Sequence, residues 1–426
     1  MDFTLDTGNT AWMIVATALV LLMTPALAFF YGGMVRTKSV LNMMMMSFIS
    51  IATIAVIWVV YGYGLTFGGG TLIGSPEGLW FLNNLGDDAS LAAGSGVPTL
   101  VMAAFQATFA IITVALISGS VADRMKFAAW SVFTVVWVTL VYTPIAHAVW
   151  GGGILGWENS ITPSSPIDFA GGTVVHTNAG AAGLALALLL GLRKGFGKEP
   201  FKPHNLPFVM LGAALLWFGW FGFNAGSEFA ADATAGRAFL NTTVAPAVAM
   251  LGWLLVERLR DGKPTSLGAA SGIVAGLVAI TPAAASVDSV GAIAIGFLAG
   301  AICSMAIGLK YKLGYDDSLD VVGVHLVGGL VGTLLIGFFA NLDEGTTWAG
   351  AGDTMEPLNG LFYGGGGTQL VTQALTALIT IAYSFVATLI IGYLIKVTIG
   401  LRVSEDVEVA GIDYAEHGET AYEEAI

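Results

Sequence analysis

This chain predicts an all-α polytopic membrane protein of eleven transmembrane helices, ten of them forming a 5+5 inverted pseudo-two-fold repeat and one standing outside it. Three observations carry the prediction. The first is composition: of 426 residues, 56% are hydrophobic and only 11% charged, whereas soluble domains carry about 25% charged residues. The mean hydropathy is +0.79. The second is that apolar runs close to the ~20 residues a helix needs to cross a bilayer recur along the whole chain. The third is an internal repeat, in which "DFAGGTVVHTNAGAAG" and "DSLDVVGVHLVGGLVG" each place an aspartate eight residues before a histidine. Helices follow because every backbone group in lipid must be satisfied within its own segment.

The first span, 10–32, follows the opening "MDFTLDTGNT", which contains no Lys or Arg. A secretory signal peptide needs a basic leading region and a cleavage site, so this segment reads as a retained helix. Spans 42–66, 99–121, 127–150 and 168–191 complete a first repeat over 10–191. Spans 206–223, 239–257, 267–284, 290–309 and 320–340 make a second over 206–340, and the eleventh helix is 369–396. Basic residues fall in alternate connections or at their edges: Arg36, Lys38, Arg124, Lys126, Arg193, Lys194, Lys198, Lys202, Arg258, Arg260, Lys263, Lys310, Lys312, Lys396 and Arg402. Of the 16 Lys and Arg, only Arg237 lies elsewhere. The positive-inside rule makes that side cytoplasmic, with the amino terminus outside and the carboxyl terminus inside. Residues 1–400 are then a membrane domain and 401–426 a cytoplasmic tail. The single Cys303, in span nine, excludes an intrachain disulfide framework.

The net charge of −13 is partly local. Residues 403–426 hold Glu405, Asp406, Glu408, Asp413, Glu416, Glu419, Glu423 and Glu424 with no Lys or Arg, and without those eight the balance is −5 (16 minus 21). Such a run reads either as a solvated, flexible arm or as a docking segment. Asp87, Asp88, Glu158, Asp232, Asp343, Glu344 and Asp353 sit mostly in outer loops, where they would mildly concentrate cations.

Asp168 to His176 and Asp317 to His325 share one spacing, and Gly180, Gly183, Gly329 and Gly332 follow the two histidines at +4 and +7. One copy starts outside and the other inside, so the repeats are antiparallel and related by a two-fold axis in the membrane plane. Inversion then brings the histidines together near the midplane, and the glycines permit close helix approach. A lone buried histidine is more simply a packing residue, but an ionisable pair at the midplane points to a pathway. A neutral pair can share one N–H···N hydrogen bond. Asp168 and Asp317, at helix starts, are candidate caps.

Candidate pore residues cluster at outer helix ends: Phe105 and Phe109 in "FQATF", Trp150 in "AHAVWGGG", and Trp220, Phe223 and Ser227 in "LLWFGWFGFNAGS". An aromatic face plus a hydroxyl can hold a small cation without a carboxylate, with cation–π attraction of about 0.5–2 kcal/mol. The ordinary alternative is Trp at the membrane interface and Phe in packing. A bare cation in an apolar lumen costs on the order of 20 kcal/mol by Born estimates. Such a pore suits a neutral molecule, or a cation that sheds its proton on entry. An enzyme is not expected: there is no H-E-x-x-H zinc signature and no Ser or Cys spaced to work with a histidine. No cofactor, metal or nucleic-acid partner is implied.

The blocks "FYGGMVR", "FQATFA", "PIAHAVWGGG", "DFAGGTVVHTNAG", "GFGKEPFKPHNLP", "GWFGFNAGS", "GLVAITPA", "DVVGVHLVGG" and "GLRVSEDVEVAGIDYAEHGE" resemble the ammonium transporter (Amt/Mep/Rh) family, specifically its prokaryotic Amt branch. The resemblance runs from about residue 12 into the tail. It implies a homotrimer in the cell (inner) membrane, with one pore per subunit for ammonium or ammonia. It assigns Phe109, Trp150 and Ser227, with Phe105 beside them, to an outer ammonium site, and places the family's required aspartate at Asp168. Phe109 and Phe223 match a phenyl gate, His176 and His325 the twin histidines, and Trp220 and Thr281 further lining positions. His147, His204 and His417 take no pore role. The resemblance also implies that the tail packs on the cytoplasmic face, where a PII-type signalling protein can dock. Electrogenic uptake is the expected activity. A passive NH3 gas channel and an ammonium sensor are the rivals, though the 24 residues of 403–426 are short for a signalling domain.

Overall fold

The computed structural model describes residues 4–86, 95–156, 159–342 and 358–423. Asp87, Asp88, Glu158, Asp343, Glu344, Asp353 and Glu424, assigned above to loops and tail, lie outside the described residues. The spanning candidates, in chain order, are α1 (Thr7–Met34), α2 (Thr37–Phe67), α3 (Thr99–Val121), α4 (Phe127–Trp150), α5 (Gly172–Leu190), α6 (Leu206–Gly226), α7 (Ala233–Asp261), the shorter α8 (Ser266–Ile280), α9 (Ser289–Leu313), α10 (Val322–Phe339) and α11 (Thr368–Thr398). Ten of these are long and apolar enough to cross a membrane, and α8 has 15 residues. The expected eighth span, 267–284, stops early because Pro282 has no N–H to donate to the helical ladder, whose last bond is Thr281 N to Leu277 O. Side chains start several helices by accepting a free N–H: Asp6 from Asn9, Asn205 from Phe208, Asp232 from Ala235, Thr265 from Gly268 and Asp288 from Gly291.

The two histidine helices start alike. Asp168 Oδ1 accepts from the N–H of Gly171 at 3.1 Å, and its Oδ2 from Thr173 and Val174 at 3.0 and 2.9 Å. Asp317 accepts from Val321 and Val322 at 3.1 and 2.7 Å. Both aspartates are therefore caps. The first turns of both helices are π-helical, over Gly172–Thr177 and Val322–Leu326. α5 begins at Gly172, four residues after the expected 168, because the cap and Gly171, at φ +106°, take up the intervening chain.

Glycine sets how closely α5 and α10 approach. A Cβ on Gly180 would lie 2.4 Å from Leu326 N, and one on Gly329 would lie 2.8 Å from Gly172 O. Gly183 instead faces Val321 and Ser120, and Gly332 faces Ala279 of α8. α11 lies against this pair with a buried polar stripe of Gln369, Thr372, Gln373, Thr376, Thr380, Ser384 and Thr388, while Leu378, Val386 and Ile390 are exposed on it.

The acidic tail is not a free arm. Two short helices, α12 (Glu405–Ala410) and α13 (Ile412–His417), bury Glu408 and Asp413. Glu408 pairs with Arg402 at 2.6 Å, accepts from Lys194 N at 2.7 Å, and gives its carbonyl to Arg36. Asp413 accepts from Leu41 and Asn42 at 3.0 and 2.8 Å, and Glu416 from Phe127 N at 2.9 Å. Carboxylates that look solvated in the sequence thus satisfy free N–H groups at the starts of α2 and α4. Beneath them, Arg193 joins Asp123 at 3.2 Å and Asp316 at 2.9 Å. Burial pulls the neighbouring Arg124 guanidinium down to about 10, against the Asp316 charge.

Candidate functional site

At the centre, α5 and α10 bring His176 and His325 together with Nδ1 to Nδ1 at 3.2 Å and ring planes 16° apart. Two facing Nδ1 atoms can share only one proton, so one ring donates and the other accepts. Neutral imidazole has one N–H and one lone pair. The donating ring therefore keeps an acceptor Nε2, and the accepting ring a donor Nε2–H. The pair presents one donor and one acceptor to whatever lies beside it. His176 Nε2 is buried and has no hydrogen-bond partner in the protein, consistent with that role.

Trp220 of α6 stacks on His176, centroids 5.4 Å apart, and is fixed in place by its Nε1 donating to Thr281 Oγ1 at 2.8 Å. The Thr281 hydroxyl donates in turn to Leu277 O, so Trp220 and Thr281, the two expected lining positions, act as one unit. Phe223 lies one turn further along α6, in stacked contact with Phe109 at 4.1 Å and 19°. Phe105 meets Phe109 at 4.8 Å, and Trp150 meets Phe109 edge-on at 6.1 Å. The aromatic series is thus continuous from Trp150 to His176. Trp150 Nε1 donates to Asp168 O at 2.8 Å. Asp168 therefore touches this cluster through its carbonyl, its carboxylate being spent on the cap. Ser227 ends α6 with its hydroxyl on Phe223 O at 2.8 Å.

Beside the histidines, with Phe223 in its wall, is an apolar cavity of about 10 Å3, near the lower bound for holding one water-sized molecule. Met23, Leu27, Phe30, Ile112, Leu116, Leu216 and Val274 line it alongside His176, His325, Trp220 and Phe223, and none of these carries a carboxylate or an ammonium group. Sequence reasoning missed the seven apolar lining residues. In helices apolar on all sides, a cavity-facing Leu carries no signal that a packed Leu lacks. The remaining histidines sit elsewhere. His147 is buried against Thr66 O and Gly70 O, His204 meets Val35 O and Tyr422, and His417 meets Asn42 Oδ1.

Comparison with known proteins finds one family along nearly the whole chain. The model of the Ammonium Transporter Family matches residues 11–422. An ammonium transporter of Mycobacterium bovis is 55% identical, covering 99% of this chain and 91% of that protein. The crystal structure of Candida albicans Mep2 superposes with a TM-score of 0.85 at 33% identity, covering 98% of this chain and 91% of that one. A structure described as a Sensor Amt Protein gives 0.84 at 29% identity, covering 96% and 98%. With the family model spanning nearly the entire chain, the protein belongs to the Ammonium Transporter Family.

Proposed function

We propose that the protein is an ammonium transporter that recruits NH4+ at Phe105, Phe109, Trp150 and Ser227, removes its proton near the Phe109–Phe223 gate, and conducts NH3 past His176 and His325. Asp168 holds Trp150 through its carbonyl, and Trp220 and Thr281 keep the first histidine ring in place. One observation carries this reading: a cavity sized for one small molecule, without charged lining, beside a pair offering one donor and one acceptor. Neutral NH3 can use both partners, whereas an ion there would keep its desolvation cost. The proton passes separately along the pair, which makes transport electrogenic, and the membrane potential then contributes about 2.3 kcal/mol per charge per 100 mV.

The same reading takes the eleven helices as spans, with the amino terminus outside, residues 1–400 as the membrane domain and 401–426 as a cytoplasmic regulatory tail. It takes the cell membrane as the location, a homotrimer as the assembly, and a PII-type protein as the regulator at the tail. The basic connections and the docked tail support that orientation.

The test is the current across a solid-supported membrane bearing purified protein in liposomes after an ammonium jump. A saturable transient current is expected in the wild type. In His176→Ala/His325→Ala it should vanish or lose selectivity against K+. No current alongside fast internal alkalinisation would identify a passive NH3 gas channel and overturn the electrogenic reading. The Sensor Amt neighbour keeps a sensing role as the second rival; tight ammonium binding with neither current nor alkalinisation would support it.

A further inference from the structure

The chain entering the Trp150–Asp168 cluster is held by α11, which stands outside the two histidine repeats. Gln373 is fully buried, and its amide group pairs with both backbone groups of one residue. Its Oε1 accepts from Ile167 N at 2.8 Å, and its Nε2 donates to Ile167 O at 2.8 Å. The same Nε2 reaches Thr333 O of α10 at 3.3 Å. One turn earlier Gln369 donates to Ser165 O at 3.0 Å and to Gln373 Oε1 at 3.2 Å, and accepts from Ser164 Oγ at 3.0 Å. The segment 164–167 has little regular structure of its own, so these side chains stand in for a missing strand partner.

The next residue is Asp168, whose carbonyl holds the Trp150 indole at 2.8 Å. We infer that Gln373 is a positioning residue for the recruitment cluster: by fixing Ile167 it sets where the Asp168 carbonyl, and hence the Trp150 ring, stands. A buried N–H and C=O left unpaired are costly enough that the segment must shift to find other partners. Trp150 then loses its fixed seat against Phe109. The inference rests on the recruitment role proposed above for Trp150.

The test compares ammonium-jump currents in the wild type, Gln373→Met, Trp150→Leu and the double variant, all in the same liposomes. Gln373→Met keeps side-chain length and removes both bonds to Ile167, along with those to Thr333 O and Gln369. It is expected to raise the apparent KM about fivefold or more, with the maximal current per protein kept within about twofold. Added to Trp150→Leu it should raise KM little further, because residues acting through one contact are not additive. Gln373→Glu, whose protonated carboxyl can still pair with both Ile167 groups, should fall between wild type and Gln373→Met. It also serves as the measurable variant if Gln373→Met fails to fold. A loss of maximal current at unchanged KM, or full additivity with Trp150→Leu, would mean that Gln373 is only structural. An unchanged KM in Trp150→Leu alone would instead remove the recruitment reading, and the inference with it.

Discussion

Thr281 illustrates how little the surroundings of the histidine pair depend on charge. Its hydroxyl accepts from Trp220 Nε1 and donates to Leu277 O, so one side chain locks the indole that stacks on His176. Thr281→Val keeps the shape and leaves a buried indole N–H without a partner, a cost of about 1–3 kcal/mol. Reduced ammonium current with near-normal folded yield is the expected outcome, and a current equal to wild type would show that the lock is dispensable. Some of these residues were legible in the sequence for a physical reason. The histidines announced themselves because a titratable ring is costly in lipid and the Asp-to-His spacing repeats. Leu27, Ile112 and Leu116 line the same cavity and could not be found, since their apolar character is what any buried helix needs. Gln373 was equally hidden: a polar residue in an apolar helix gives no hint of which backbone it will meet.

Among the elements, the tail separates residue chemistry from context most sharply. Eight acidic residues without a Lys or Arg describe a solvated arm as well as they describe a docked one. The difference lies in unsatisfied N–H groups of α2 and α4, which no local pattern records. Asp413 caps Leu41 and Asn42 across the chain, and burial pushes its carboxyl up although those bonds oppose the shift. With its docked value above the free one, the docked tail binds a proton more readily, so docking strengthens as pH falls through the docked value and is weakest well above it. Hydrogen exchange of residues 405–417 should therefore be slower at pH 5 than at pH 8 after correction for the intrinsic rate. Asp413→Ala should speed it at both, and Asp413→Asn less so. Exchange in Asp413→Ala that matches the wild type would remove the cap from the account of docking. α8 and α5, by contrast, were shorter than their apolar runs for reasons partly visible beforehand: Pro282 ends one, and a capping aspartate with a left-handed glycine delays the other.

For the molecule as a whole, the tail face carries a cluster that joins the first repeat, the second repeat and the tail. Arg193 bridges Asp123 and Asp316, Arg124 reaches Ser318 and Asp316 O, and Arg402 binds Leu190 O and Glu408. Burial works to raise the Asp316 carboxyl, yet its bonds to Arg193 and the charges of Arg193 and Arg124 outweigh it and hold it below the usual range. A lowered value contributes stability that is full above the ordinary carboxylate pKa, about 3.9, and is lost as pH falls through the folded value. Thermal unfolding in detergent should accordingly worsen between pH 5 and pH 3. Asp316→Ala should cost about 3–5 kcal/mol at neutral pH, as breaking a buried pair does, and a melting temperature unmoved by it would show the cluster to be ornamental. The apolar runs and basic connections made the helical architecture readable at this scale, because lipid leaves a chain few options. The joints between the halves were not, because they rest on contacts between residues far apart in sequence.

The π-helical turns at His176 and His325 have one more consequence. A turn closed by i→i+5 bonds holds one residue more than a regular α-turn, and each residue rotates an α-helix by about 100°. Deleting Thr177, the one residue of Gly172–Thr177 that follows the ring, would let the helix close regularly and turn the Asp168 end, His176 included, by that angle relative to the rest. The ring would leave its partner even with every side chain in the pair retained. The meeting of the two histidines is thus guarded by a count of residues as much as by their identity, and a one-codon deletion would be as damaging there as losing the ring itself.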